Sequence, residues 1–204
     1  MLGAGWARAV LWLSGAPLFS PFVAIAVVLI VSALSFKHLL NEPSERESSK
    51  FVFPKGIVLL IGIMCFIIFM AEGAVLDWSA LFLRDFRAVD AAQAGLGYVF
   101  FSFTMMLGRF TGDAVVTKLG STKVVMLGGL LGAIGFTLVI TFPQYWMGYL
   151  GFALVGLGCA NIVPVLFTAS GRQTIMPVNA AITSVAGIGY LGGLIGDRKS
   201  VVEG

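Results

Sequence analysis

Apolar residues in this chain fall into long blocks separated by short polar connections. Six blocks reach or approach the roughly 20 residues that a helix needs to cross a hydrocarbon core. They cover 22–39, 56–81, 94–111, 123–142, 145–168 and 178–196. None shows the strict alternation of a membrane β-strand, so each is expected to be a helix. Residues 1–19 read as the last part of an earlier helix plus the Gly-Ala-Pro turn at 15–17. The predicted fold class is therefore an all-α polytopic membrane protein, a helical bundle.

Composition agrees with the pattern. Of the 204 residues, 58% are hydrophobic and 11% charged, with a mean hydropathy of +0.98, whereas a soluble domain is about a quarter charged. The expected surroundings are a lipid bilayer. A net charge of +3, spread between apolar blocks, is not a nucleic-acid footprint. Cys65 and Cys159 lie inside apolar blocks and read as buried thiols. His38, at a block end beside Lys37, reads as an interfacial group.

Lys and Arg in the connections set the expected orientation. Lys37, Arg46, Lys50, Lys55, Arg109, Lys118, Lys123 and Arg172 fall on one side, against Arg84 and Arg87 on the other. Eight against two places the polar 41–55 connection in the cytoplasm. That connection is the longest interruption and divides the chain into 1–40, the 41–55 loop and a bundle over 56–196. The tail 197–204, DRKSVVEG, puts Arg198 and Lys199 where the last span should reach the outer face. Its DRKS is what a common sequencing-adapter start translates to, so the tail is expected to be non-native; an intact genomic frame encoding it would overturn that expectation.

Small residues recur four apart, at Gly128 and Gly132, Gly156 and Ala160, Gly189 and Gly193, and Gly192 and Gly196. Such pairs allow helices to approach closely inside one bundle.

Polar residues inside the blocks carry the candidate chemistry, because charge within a membrane is costly and usually faces protein or a water-filled path. Glu72 lies roughly 24 Å along the second block and Asp77 about 7–8 Å further, at 1.5 Å per residue. Five residues turn a helix by about 140°, so the two acids face different ways. Ser79 shares the face of Glu72. Asp77 and Trp78 fit the outer interface. Glu72 reads either as a cavity-lining acid or as a buried structural partner, and Gly73 beside it permits a local break. In GRFTGDAVVTKLGSTK (108–123), Arg109 and Asp113 are four apart and able to pair on one helix face. Gly108, Gly112 and Gly120 allow close approach and turning. This stretch reads as a helix end with a positive-inside loop, or as a cytoplasmic gate. In GLGCANIVP (156–164), Pro164 is expected to bend its span, and Asn161 either satisfies freed backbone groups or touches a ligand.

Enzyme signatures are absent: one histidine excludes HExxH, and there is no GxxxxGK[ST]. No enzymatic activity, cofactor or metal is expected.

EGAVLDWSALFLRD, GRFTGD…LGSTKVV and GLGCANIVPVLFTASGR, in this order and spacing, resemble the major facilitator superfamily (MFS). The similarity is to its bacterial inner-membrane branch related to sugar permeases such as the fucose permease, and it covers most of 20–196. It implies helices six to eleven of twelve, with 1–16 the end of helix five and nearly half the transporter, the N-terminal bundle, missing. It implies a small solute crossing by alternating access between two six-helix halves, with proton coupling through Glu72 as one expectation. Asp77 and Asn161 are the other pathway candidates. It also implies that Gly108, Arg109, Gly112, Asp113 and Gly120 are the family's loop motif between helices eight and nine. Here the acid follows Gly112 directly, and Val116 holds its usual place. The alternative reading is a non-transporting membrane protein or a non-functional truncated product.

Overall fold

The computed structural model describes residues 25–26, 28–34 and 53–196. The end of the earlier helix, most of the 41–55 connection, His38 and the 197–204 tail lie outside the described residues. Residues up to 48 and from 49 onward form separate units. In the first, 25–26 and 28–34 are helical, within the first expected span.

The second unit is built from α1 (Ile57–Arg87), α2 (Ala91–Ala94), α3 (Leu96–Phe110), α4 (Gly112–Leu119), α5 (Ser121–Thr141), α6 (Tyr145–Cys159), α7 (Ile162–Arg172) and α8 (Val178–Gly196). Four stretches are long and apolar enough to cross a membrane: α1, α5, α6 with α7, and α8. A fifth span is α3 with α4, bent by 61° at its break. These are the five spans expected over 56–196, and no strand occurs among the described residues.

Local chemistry sets the ends. Arg84 and Arg87 occupy the last turn of α1, where cations complement the helix dipole. Phe142 closes α5 in an extended conformation, φ −95° and ψ 129°, as a residue before proline must. Between α7 and α8, the Gln173 carboxamide oxygen accepts from the Ile175 and Met176 amides at 2.8 and 3.0 Å.

Glycine seams bring the helices together. Lipid offers no hydrophobic force between spans, so close packing must hold them. A Cβ at Gly128 would sit 2.5 Å from the Gly158 carbonyl oxygen, and one at Gly135 2.6 Å from that of Gly151. The numbers run oppositely, so α5 and α6 are antiparallel. Gly62 meets Ile188, Gly73 meets Gly193, and Gly196 meets Met70, so α1 and α8 run parallel. Gly97 meets Phe152 and Gly108 meets Ala160, which makes α3 and α6 parallel as well. Gly73 thus serves packing: α1 is continuous through it, and the local break it would permit does not occur.

Two buried clusters share α1. One gathers Val75, Leu83, Phe101, Met105 and Phe152 between α1, α3 and α6. The other gathers Val58, Ile61, Cys65, Leu166 and Val185 between α1, α7 and α8. Both cysteines are buried and free. Met126, Leu130 and Ile140 of α5 point outward, as side chains solvated by lipid do.

Candidate functional site

Two of the five spans are broken, and the breaks touch. The α6–α7 span breaks at Ala160–Asn161, one turn before Pro164, whose nitrogen cannot donate to the Ala160 carbonyl. The α3–α4 span breaks at Thr111, between Gly108 and Gly112. A Cβ on Gly108 would come within 2.6 Å of the Ala160 Cβ. The Asn161 Nδ2 donates to the Gly108 carbonyl at 2.9 Å. That same carbonyl accepts from the Thr111 hydroxyl at 3.3 Å. Gly112 faces the Asn161 carboxamide so closely that a Cβ would collide with its Oδ1.

The bend corrects one sequence-based expectation. A 61° turn at Thr111 puts Arg109 and Asp113 on different helices, so the i,i+4 pairing of one continuous face is lost. Arg109 instead lies 3.9 Å, Nη2 to Oε1, from Glu72 on α1. The 112–123 stretch, expected as a loop, is mostly α4. Only Gly120, at φ 81°, separates α4 from α5.

Glu72 lies fifteen residues into α1, about 22 Å along its axis. Its side chain is 17% exposed, that of Arg109 46%. The Glu72 Oε1 is buried and accepts no hydrogen bond among the described residues. The pair is therefore held by charge across a gap longer than a hydrogen bond. At this separation two unit charges attract by about 4 kcal/mol at an effective dielectric of 20. Desolvation costs several kcal/mol per ion, so attraction and cost are comparable.

Arg109, Gly112, Asp113, Asn161, Phe69 and Pro164 line a cavity of about 380 Å³ at this junction. The structure thus brings four of the candidate site residues, Arg109, Gly112, Asp113 and Asn161, to one cavity and sets Glu72 against one of them. Asp77 lies further along α1, half-buried and outside the cavity lining. Ser79, expected on the face of Glu72, is buried beside a separate apolar cavity of about 160 Å³. Phe69 was not singled out in the sequence, because nothing in an apolar run marks a lining position; Val116, noted only as standing where the motif's acid usually does, also lines the cavity.

Arg87 has a role the sequence does not announce. Its Nη2 donates to the Val139 and Ile140 carbonyls at 2.9 and 3.0 Å, capping the C-terminal end of α5. Its guanidinium lies 4.9 Å from the Phe82 ring centroid.

Three curated proteins are similar to the chain. An uncharacterised MFS-type transporter of Yersinia pestis is 44% identical over 197 residues, covering 96% of the chain and 51% of that protein. The membrane protein MosC of Rhizobium meliloti is 32% identical over 171 residues, 83% of the chain and 42% of that protein. An uncharacterised transporter, y4wD, of Sinorhizobium fredii is 32% identical over 139 residues, 68% of the chain and 37% of that protein. The chain spans about half the length of these relatives or less. No family model matches it, and no solved structure does.

Proposed function

Because this chain belongs to the major facilitator superfamily, we propose that it supplies one helical bundle of a secondary active transporter. That transporter moves a small solute across a bacterial inner membrane by alternating access. Relatives named as transporters support the class. The observation that carries the mechanism is the Glu72–Arg109 pair: an acid inside an apolar helix, facing a cation on a second helix beside that helix's bend. A proton arriving at Glu72 removes the attraction and frees Arg109 for the cavity it lines. Loss of the proton restores the pair. This gives proton binding a direct handle on the α3–α4 bend, and so a means of coupling it to solute passage.

In this reading Gly108, Arg109, Gly112 and Asp113 act as a gate at the bend inside the α3–α4 span, deeper than the cytoplasmic position expected from the sequence, with Gly120 closing that span on the cytoplasmic side, where the lysine and arginine bias also places the 41–55 loop. Asn161 and Asp77 are the remaining pathway candidates. A second bundle from the same protein completes the solute path. The test is reconstitution of the complete protein into proteoliposomes, with solutes screened for proton movement down their gradient. Glu72→Gln is expected to abolish that movement while leaving solute exchange intact. Full coupling in Glu72→Gln would remove Glu72 from the mechanism.

A further inference from the structure

The Asn161 side chain touches both helix breaks at once. It belongs to the α6–α7 break and donates across to the Gly108 carbonyl at 2.9 Å. Its carboxamide fills the space that any side chain at position 112 would need. Arg109 follows Gly108 directly, so the carbonyl that Asn161 grips belongs to the peptide bond that leads into Arg109. Behind Gly108, contact with Ala160 at 2.6 Å from a built Cβ and with Leu157 at 3.3 Å leaves α3 no slack toward α6.

The Glu72–Arg109 separation of 3.9 Å lies at the outer edge of an ion pair. It is therefore sensitive to any shift of the backbone carrying Arg109. We propose that Asn161 is a positioning residue for this pair: by clasping Gly108 against the break before Pro164, it holds Arg109 within reach of Glu72 and makes the two breaks move as one. Pro164 is what frees Asn161 for the task, because it interrupts the helix one turn later and leaves the span broken at Ala160–Asn161. The clasp ties the start of α7 to the end of α3 through Gly108 and to the start of α4 through Gly112. The inference rests on the transporter reading only for what the pair does, not for the existence of the clasp.

The test is a double-mutant cycle on thermal unfolding of the complete protein in detergent, with Asn161→Ala and Glu72→Gln made singly and together. Residues in one coupled network give non-additive effects, and independent ones add. If Asn161 works through the pair, Asn161→Ala lowers the midpoint less than half as much in the Glu72→Gln background as in wild type. Additive shifts mean that Asn161 merely ties two helices, and overturn the proposal.

A spectroscopic readout accompanies it. Spin labels replace the exposed residues Lys118 on α4 and Arg172 on α7, with other reactive cysteines removed. Their distance distribution should broaden in Asn161→Ala, and an unchanged distribution also overturns the proposal. Should Asn161→Ala fail to fold, Gly112→Ala presses on the same carboxamide with Asn161 retained and enters the same cycle. None of these readouts measures transport. If Glu72→Gln proved to transport with full coupling, the function proposed for Glu72 would fall while the clasp was judged on its own data.

Discussion

Alanine at Gly128 should destabilise this bundle, whereas alanine at Gly132, four residues along the same helix, should not. The two glycines form one small-residue pair, yet their surroundings differ. A Cβ at Gly128 lands 2.5 Å from the Gly158 carbonyl oxygen and 3.1 Å from two Ile162 side-chain carbons, while one at Gly132 meets nothing within 4 Å. The Ile162 side chain has some freedom to rotate away. The Gly158 carbonyl has none, being fixed in the α6 backbone, so α5 must lift off α6. Lifting also opens the next contact along the seam, between Gly135 and Gly151. Overpacking of this kind costs about 1–3 kcal/mol. Both substitutions gain about 1 kcal/mol from the better helix propensity of alanine, and that gain cancels in the comparison. Gly128→Ala is therefore expected to be about 1–3 kcal/mol less stable than Gly132→Ala. Reversible unfolding of the complete protein in mixed micelles measures the difference. Equal stabilities, or Gly132→Ala as the weaker, would refute the packing argument.

Further predictions rest on single contacts. Arg87→Ala removes the guanidinium bonds to the Val139 and Ile140 carbonyls and should cost about 2 kcal/mol in the same unfolding assay, with Arg87→Lys recovering part of it. Gly120→Ala forces a methyl into φ 81°, ψ 152°, a region almost confined to glycine, at about 1–3 kcal/mol; the more conservative Gly120→Asn should cost as much if backbone strain is the cause. Arg109→Gln leaves the Glu72 carboxylate without its cation and should unfold more readily than the Glu72→Gln/Arg109→Gln double variant; a double variant less stable than Arg109→Gln would show that the pair is not the source of the loss.

Five spans over 56–196 were legible because lipid solvation imposes a length of apolar residues that few other constraints mimic. An interruption near Pro164 was equally legible, since a missing N–H leaves a carbonyl free wherever the helix lies, and the span breaks at Ala160–Asn161. Glu72 stood out for the same kind of reason: an acid in a long apolar run is conspicuous before anything is known about its neighbours. The partner of Glu72 was not legible. Spacing pointed Arg109 to Asp113, an inference that assumes an unbroken helix. Thr111 carries no proline to announce the break, and the flanking Gly108 and Gly112 serve packing and bending alike. Gly73, which permitted a break, instead admits the Gly193 backbone, and spacing alone does not tell the two uses of a glycine apart.

The sequence by itself determined which segments lie in lipid, where one of them is interrupted, and which polar residues need an explanation, because those follow from composition and from the covalent chemistry of single residues. Only the tertiary structure decided that Glu72 faces Arg109, that Asn161 reaches across to Gly108, and that Arg87 closes α5. Each of these joins residues 37 to 53 positions apart on helices whose rotation and bend are fixed by packing. Spacing along one helix carries no information about the rotation of another.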